Sequence, residues 1–475
     1  MTPFATGMRS PAGFGFNVEG DIFYGENQGD WIGSGYITHV EKGDFVGNPA
    51  GLRWTDLPGS PLSLRPEDVP DSGRPMVEIA KELPDLKVPA VWLPHSIMGI
   101  STSDILADTT GGGFGPFTGQ LFVGDQGQSK VMRIFLEKVN GVYQGAAFPF
   151  REGFSSGVLR MVWGNDGSMF VGMTSRGWGS TGREPYGLQR VVWTGRMPFE
   201  IKTVEARPDG FELTFTKPVD RTIASDASTY HMTGFTYQYH STYGSPIINR
   251  ETTPVRGVRV SDDGLSARIV VDGLRKGYIH ELKMTSMRSA DGQPLLHDAA
   301  YYTLNEIPDG PPLVLELKEK AVVPALAEDT GRQTVAQEKR VTTMPIDWTD
   351  GPDATITVGT QPGLLFDLPS FDVQAGSRLK LVFNNSDDMM HNFLVVRPGT
   401  ADKVGDQAIA LGLDGPDKDY IPELGEVLFH TALLEPESIE TIYFTVPDEP
   451  GDYPYLCSFP GHAFTMRGTM RVVRR

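Results

Sequence analysis

The chain has 475 residues, of which 60 are acidic and 42 basic, for a formal net charge of −18. So acidic a composition lacks the Lys/Arg stripes that nucleic acids and anionic membranes require, so neither is expected as a partner. Glycine (55) and proline (36) are too frequent for a helical bundle, and with 10% aromatic and 39% hydrophobic residues they fit an all-β protein rich in turns.

The first residues, Met1-Thr-Pro-Phe4, show no basic stretch followed by an apolar one, so no signal peptide is read there. No apolar run has the length of a membrane span, so the chain is not expected to be an integral membrane protein. Three segments then share one pattern, an apolar run with Phe set between glycines: Gly20-Asp-Ile-Phe-Tyr-Gly25, Gly119-Gln-Leu-Phe-Val-Gly124 and Gly167-Ser-Met-Phe-Val-Gly172. The last two start 48 residues apart and the first two 99 apart, about two such periods. A repeat of ~40–50 residues with short strands is the period of β-propeller blades. Residues 1–198 are therefore expected to hold three or four blades, the second poorly marked. Residues 199–310 change texture and are expected to form a β-sandwich. Residues 210–219 alternate, with Phe211, Leu213 and Phe215 inward, and 267–271 and 278–284 also read as strands. The aromatic series Phe235, Tyr237, Tyr239 and Tyr243 suits a core-facing strand better than a sugar-stacking platform. Residues 311–350, with Glu316, Lys318, Glu319, Lys320, Glu338, Lys339 and Arg340, read as a linker that packs along the surface. Residues 351–475 form a third β-unit, with strands expected near 378–383, 393–396, 440–446 and 469–473.

The only cysteine is Cys457, which excludes a disulfide framework, an iron–sulfur cluster and c-type haem attachment. It opens the run Cys457-Ser-Phe-Pro-Gly-His462-Ala-Phe-Thr-Met466, and an earlier histidine stands in Met389-Met-His391-Asn-Phe393. A copper centre that shuttles one electron wants a thiolate, two imidazoles and a weak axial thioether. A tight loop bent at Pro460 and Gly461 presents three of these from one strand connection, and His391 supplies the fourth from a neighbouring strand. A copper oxidase needs further histidine-rich sites, and the chain has only nine histidines, mostly scattered.

These residues resemble the azurin and auracyanin branch of the blue copper proteins, the cupredoxins. The match covers most of 355–475 and includes Asp417-Lys-Asp-Tyr420, Val427-Leu-Phe-His-Thr431 and Glu437-Ser438. The resemblance implies a Greek-key β-barrel and one type 1 copper. His391, Cys457 and His462 would be equatorial ligands and Met466 the axial one, with the Met390 carbonyl a weak second axial contact. Asn392 and Ser458 would hold the ligand loops from behind. A redox protein would dock on the apolar surface around His462, with Met389, Phe459 and Pro460. His430 matches a family histidine that is not a ligand.

The N-terminal part is similar to glucose/sorbosone dehydrogenase propellers in Gly7-Met-Arg-Ser-Pro-Ala-Gly13, Phe16-Asn-Val-Glu-Gly20 and Glu26-Asn-Gln-Gly29. That family uses pyrroloquinoline quinone (PQQ) with calcium. The resemblance would put Arg9, Gln28, Gly29 and Arg160 on a cofactor face, with Ser10 and Ala12 departing from the family pattern. The family's base histidine lies upstream of this turn, so the propeller is expected to be incomplete, the C-terminal half of a six-bladed one. His39 and His95 are the remaining candidates for a base. Three functions follow: electron transfer at copper; PQQ-dependent oxidation of a sugar or aldose with the tethered copper as acceptor; or a scaffold that binds a glycan or protein. Both resemblances suggest the periplasm or the cell exterior.

Overall fold

The computed structural model describes residues 3–177, 179–314, 339–361, 364–387, 389–463 and 465–474. The chain forms two compact units, Met1–Leu313 and Val314–Arg475.

The first unit begins with three antiparallel meanders. The first holds β1 (Gly13–Phe16), β2 (Ile22–Glu26), β3 (Gly35–His39) and β4 (Val91–Leu93). The second holds β5 (Thr102–Ala107), β6 (Leu121–Asp125), β7 (Lys130–Val139) and β8 (Val142–Arg151), and the third β9 (Val158–Trp163), β10 (Met169–Thr174) and β11 (Tyr186–Val191). The repeated glycine-flanked segments fall on β2, β6 and β10, the second strand of each meander. First strands pack side by side, β1 on β5 and β5 on β9. The 99-residue interval between the first two repeats does not hold another meander. Residues 40–90 leave the sheet between β3 and β4 and carry a short helix, Met76–Glu82.

The remaining strands of this unit are β12 (Ile201–Arg207), β13 (Gly210–Phe215), β14 (His231–Tyr237), β15 (Ile247–Thr252), β16 (Val255–Val260), β17 (Ser266–Val271), β18 (Tyr278–Lys283) and β19 (Ala299–Leu304). They form the two layers of a sandwich. One layer is the sheet β12-β13-β17-β16. The other is part of an eight-stranded sheet, β15-β14-β18-β19-β8-β7-β6-β5. The anticipated division at residue 198 is therefore crossed by continuous hydrogen bonding: Tyr301, Tyr302 and Thr303 pair antiparallel with Ala147, Ala146 and Gly145. An open edge on the long strand β8 would be a row of unpaired backbone groups, and β19 covers it. Phe211, Leu213 and Phe215 point inward as their alternation requires, onto Met232, Leu282, Tyr302, Ala146 and Phe148. Phe235, Tyr237 and Tyr239 are likewise buried.

A buried arginine stitches the same region. Arg133 on β7 is 1% exposed and donates to Gln120 Oε1 (2.5 Å), Ile201 O (2.6 Å) and Lys202 O (2.9 Å). Its guanidinium carbon lies 4.0 Å from the ring centroids of both Phe117 and Phe148.

The second unit is a two-sheet barrel. Its strands are β20 (Ala354–Gln361), β21 (Leu365–Phe366), β22 (Ser370–Gln374), β23 (Arg378–Asn385), β24 (Leu394–Val396), β25 (Val427–His430), β26 (Ser438–Thr445), β27 (Gly451–Leu456) and β28 (Arg467–Val473). One sheet runs β21-β20-β23-β26 and the other β22-β28-β27-β24-β25. On β23 the residues alternate in burial, and Leu379, Leu381 and Phe383 enter the core with Val358, Phe393, Ile442 and Tyr455. A helix, Ala401–Ala410, fills the connection after β24. Of the linker read at 311–350, residues 315–338, with Glu316, Lys318, Glu319, Lys320 and Glu338, lie outside the described residues. Residues 339–350 pack on the barrel. The carbonyls of Lys339 and Val341 accept from the amides of His430 and Tyr443, and Trp348 is 7% exposed beside the Tyr443 ring.

Phe211→Ala empties the centre of the sandwich core. It is expected to cost about 3–5 kcal/mol, seen as a lower denaturant midpoint by tryptophan fluorescence.

Candidate metal centre

Two loops at one end of the barrel build the centre. Cys457 follows β27 directly, and the loop turns at Pro460 and Gly461, the latter at φ +85°, before entering β28. Inside the turn, His462 N donates to Phe459 O (2.9 Å), Met466 N to His462 O (2.8 Å) and Cys457 N to Met466 O (3.1 Å). The loop is thus closed on itself, with Cys457, His462 and Met466 all facing the interior and at most 3% exposed.

The second loop joins β23 to β24 and carries His391. Asn385, fully buried, ties it down. Its Nδ2 donates to Met389 O (2.8 Å), Leu434 O (3.0 Å) and Glu435 O (3.0 Å). His391 N and O both pair with Leu434, at 3.1 and 2.8 Å.

The loops converge on one point. His391 Nδ1 lies 3.7 Å from Cys457 Sγ, His462 Nδ1 lies 3.5 Å from it, and the two Nδ1 atoms are 3.2 Å apart. All three residues are buried, and their donor atoms lie within 4.8 Å of one another. Met466 is 0% exposed and belongs to the same apolar cluster as Cys457, which Met389 and Met390 flank. Burial pushes the Cys457 thiol up to about 12, opposed by the backbone N–H groups of Asn392 and Phe459. Burial also lowers His391 below the ordinary histidine range, while a carboxylate at Asp387 acts in the opposite sense. Two imidazoles and a soft sulfur aimed at a common centre in a dry pocket form a donor set that suits copper in either oxidation state. His430 stands apart on β25, with its Nδ1 3.0 Å from Thr431 O.

Asn392 and Ser458 join the two loops. Asn392 Nδ2 donates to Ser458 Oγ (2.9 Å) and Asp419 O (2.7 Å), Ser458 N donates to Asn392 Oδ1 (2.7 Å), and Ser458 Oγ donates to Tyr420 O (2.8 Å). The sequence reading passed over Asp387, whose Oδ2 lies 3.1 Å from His391 Nε2. The signal was an Asp four residues before the histidine. It also passed over Asn385.

The N-terminal candidates are arranged differently. Arg9, Gln28 and Gly29 do come together: Arg9 Nη1 approaches Gln28 O at 3.4 Å, and a Cβ on Gly29 would fall 2.0 Å from Arg9 Cζ. Yet Arg9 Nε is bound to Asp30 Oδ1 at 2.5 Å, and Gln28 Nε2 donates to Gly33 O at 3.2 Å. Arg160 lines a 620 Å³ cavity with Met8, Pro11, Phe14 and Asp104. A guanidinium committed to a carboxylate is poorly placed to meet a quinone's carboxylates, and nothing in this arrangement adds support for a PQQ contact. His39 lies against Tyr143 and Phe23, and His95 is half-buried, where desolvation lowers it to about 4.

The two-sheet barrel and its buried His/Cys/His cluster define the C-terminal unit as a cupredoxin domain. Auracyanin-A of Chloroflexus aurantiacus is 31% identical over 121 residues, 25% of this chain and 74% of that protein. Through this unit the chain belongs to the azurin and auracyanin family. Auracyanin-B of the same organism is 30% identical over 127 residues, and azurin of Bordetella pertussis 34% over 89; the chain spans about half of each of these two (53% and 57%). Among solved structures, dithionite-reduced auracyanin of Roseiflexus castenholzii is 33% identical, with 26% of this chain and 99% of that one covered and a TM-score of 0.24. No family model matches the chain.

Asn392→Ala removes two buried hydrogen bonds between the loops and a third to Asp419 O. It is expected to lower stability by about 2–4 kcal/mol, measured by urea denaturation of the metal-free chain.

Proposed function

We propose that the C-terminal unit binds one copper ion at His391, Cys457 and His462 and carries single electrons between redox partners. The observation that supports this most is the convergence of those three buried donors within 4.8 Å. Bound copper supplies the one-electron couple. The chain supplies the rest. The Nδ1 and Sγ atoms bind, and the cross-linked loops keep their spacing fixed when the charge changes. The amides of Asn392 and Phe459 withdraw charge from the sulfur and so tune the potential. The Met466 thioether would be a further, weaker donor to the ion, and the Met390 carbonyl a weak contact beside it. A redox protein docks on the apolar surround of His462, where the Phe459 ring lies 4.9 Å from the imidazole. The first three meanders are propeller blades, and we assign them no redox step. No described helix is long and apolar enough to cross a membrane. The family resemblance favours the periplasm or the cell exterior.

Copper(II) added to the full chain should produce the intense sulfur-to-copper visible band, and Cys457→Ala should abolish it; a band retained in that variant overturns the assignment. Met466→Leu should keep copper and raise the reduction potential, measured by redox titration of the band. PQQ, calcium and aldoses added to the oxidised protein should leave the band unbleached, while a chemical reductant bleaches it.

A further inference from the structure

The geometry points to Asp387 as a positioning residue that fixes the tautomer of His391 and lowers the potential of the centre through its negative charge. This rests on the copper reading above and adds to it a residue outside the ligand set.

The two nitrogens of His391 have separate surroundings. Nδ1 faces Cys457 Sγ and His462 Nδ1. Nε2 faces Asp387 Oδ2 at 3.1 Å. A carboxylate there accepts a hydrogen bond, so the ring proton belongs on Nε2 and the lone pair on Nδ1, where a metal is to be bound. The arrangement is built rather than incidental. The His391 side chain is 0% exposed and that of Asp387 15%. Asp387 N donates to Asn385 Oδ1 at 3.2 Å, and the same Asn385 holds the backbone at Met389, Leu434 and Glu435. One buried amide therefore places both the carboxylate and the imidazole.

The charge has a definite consequence. A carboxylate across the ring makes the imidazole a stronger donor and adds negative charge close to the metal. Both effects favour the more highly charged ion over the singly charged one, and so lower the reduction potential. Partial burial strengthens this, since the charge is screened less than at an open surface.

The test uses the full chain and Asp387→Asn, which keeps an acceptor oxygen and removes the charge. The copper-loaded variant should keep its visible band. Its preference for copper(II) over copper(I) should fall about tenfold, read as an upward shift of about 59 mV in a redox titration. A variant with an unchanged or lower potential overturns the proposal. The metal-free native chain gives an independent readout if the variant does not fold. Nitrogen NMR should find the neutral His391 protonated at Nε2, and protonation at Nδ1 overturns the proposal. A native chain that takes up copper without any visible band refutes the copper reading, and the NMR result then still decides the tautomer.

Discussion

The C-terminal unit depends on keeping the sulfur of Cys457 away from water. A buried thiol resists ionisation, and this one is pushed up to about 12. Its charged form becomes favourable only beside a cation. The surroundings suit that form: amide hydrogens from Asn392 and Phe459 point at the sulfur, and two imidazole nitrogens lie 3.5 and 3.7 Å away. A pocket open to water would give a more ionisable cysteine and a weaker, wetter site.

That requirement explains why the ligand loops are so heavily cross-linked. Cys457 sits at the end of β27, so a rigid strand fixes its position. His391 precedes the three-residue β24, which pairs with β27 at Leu394 and Leu456. Neighbouring strands bring the loops close, and Asn392 and Ser458 lock them together. Asn385 does the same one step further out. Precision in the site is thus inherited from strand pairing, and the buried amides correct what the pairing leaves free.

The centre was legible in the sequence because its ligands are chemically rare. One cysteine, with a histidine five residues on and a methionine four beyond, is a pattern that few other structures explain. Alternation also located β13, β17, β18, β23 and β26 to within a few residues, and the glycine-flanked repeat marked the second strand of each meander. Most of the misses are effects of distance. The pairing of β8 with β19 joins residues about 155 apart and has no local signature. The excursion over 40–90 looked like a faint repeat because only spacing was available to judge it. The helix Ala401–Ala410 has no side-chain cap and contains Gly405, so its local signals are weak. Asp387 lacked meaning until the fold placed it against the far nitrogen of His391.

Buried polar groups occur in both units, and their geometry separates structural roles from chemical ones. Arg133 is as buried as Cys457, but its N–H groups point outward to separate acceptors, and two aromatic rings cover its faces. Donors and acceptors match there, so the group is a strut. Arg9 likewise has an acceptor of its own, Asp30. At Cys457 the arrangement is reversed. Three groups that bind through lone pairs aim them at one another across 3.2–3.7 Å. Protons shared among them relieve that crowding only in part, because each proton serves one pair. A single positive ion at the centre serves all three at once, and that asymmetry distinguishes a metal centre from a hydrogen-bonded core.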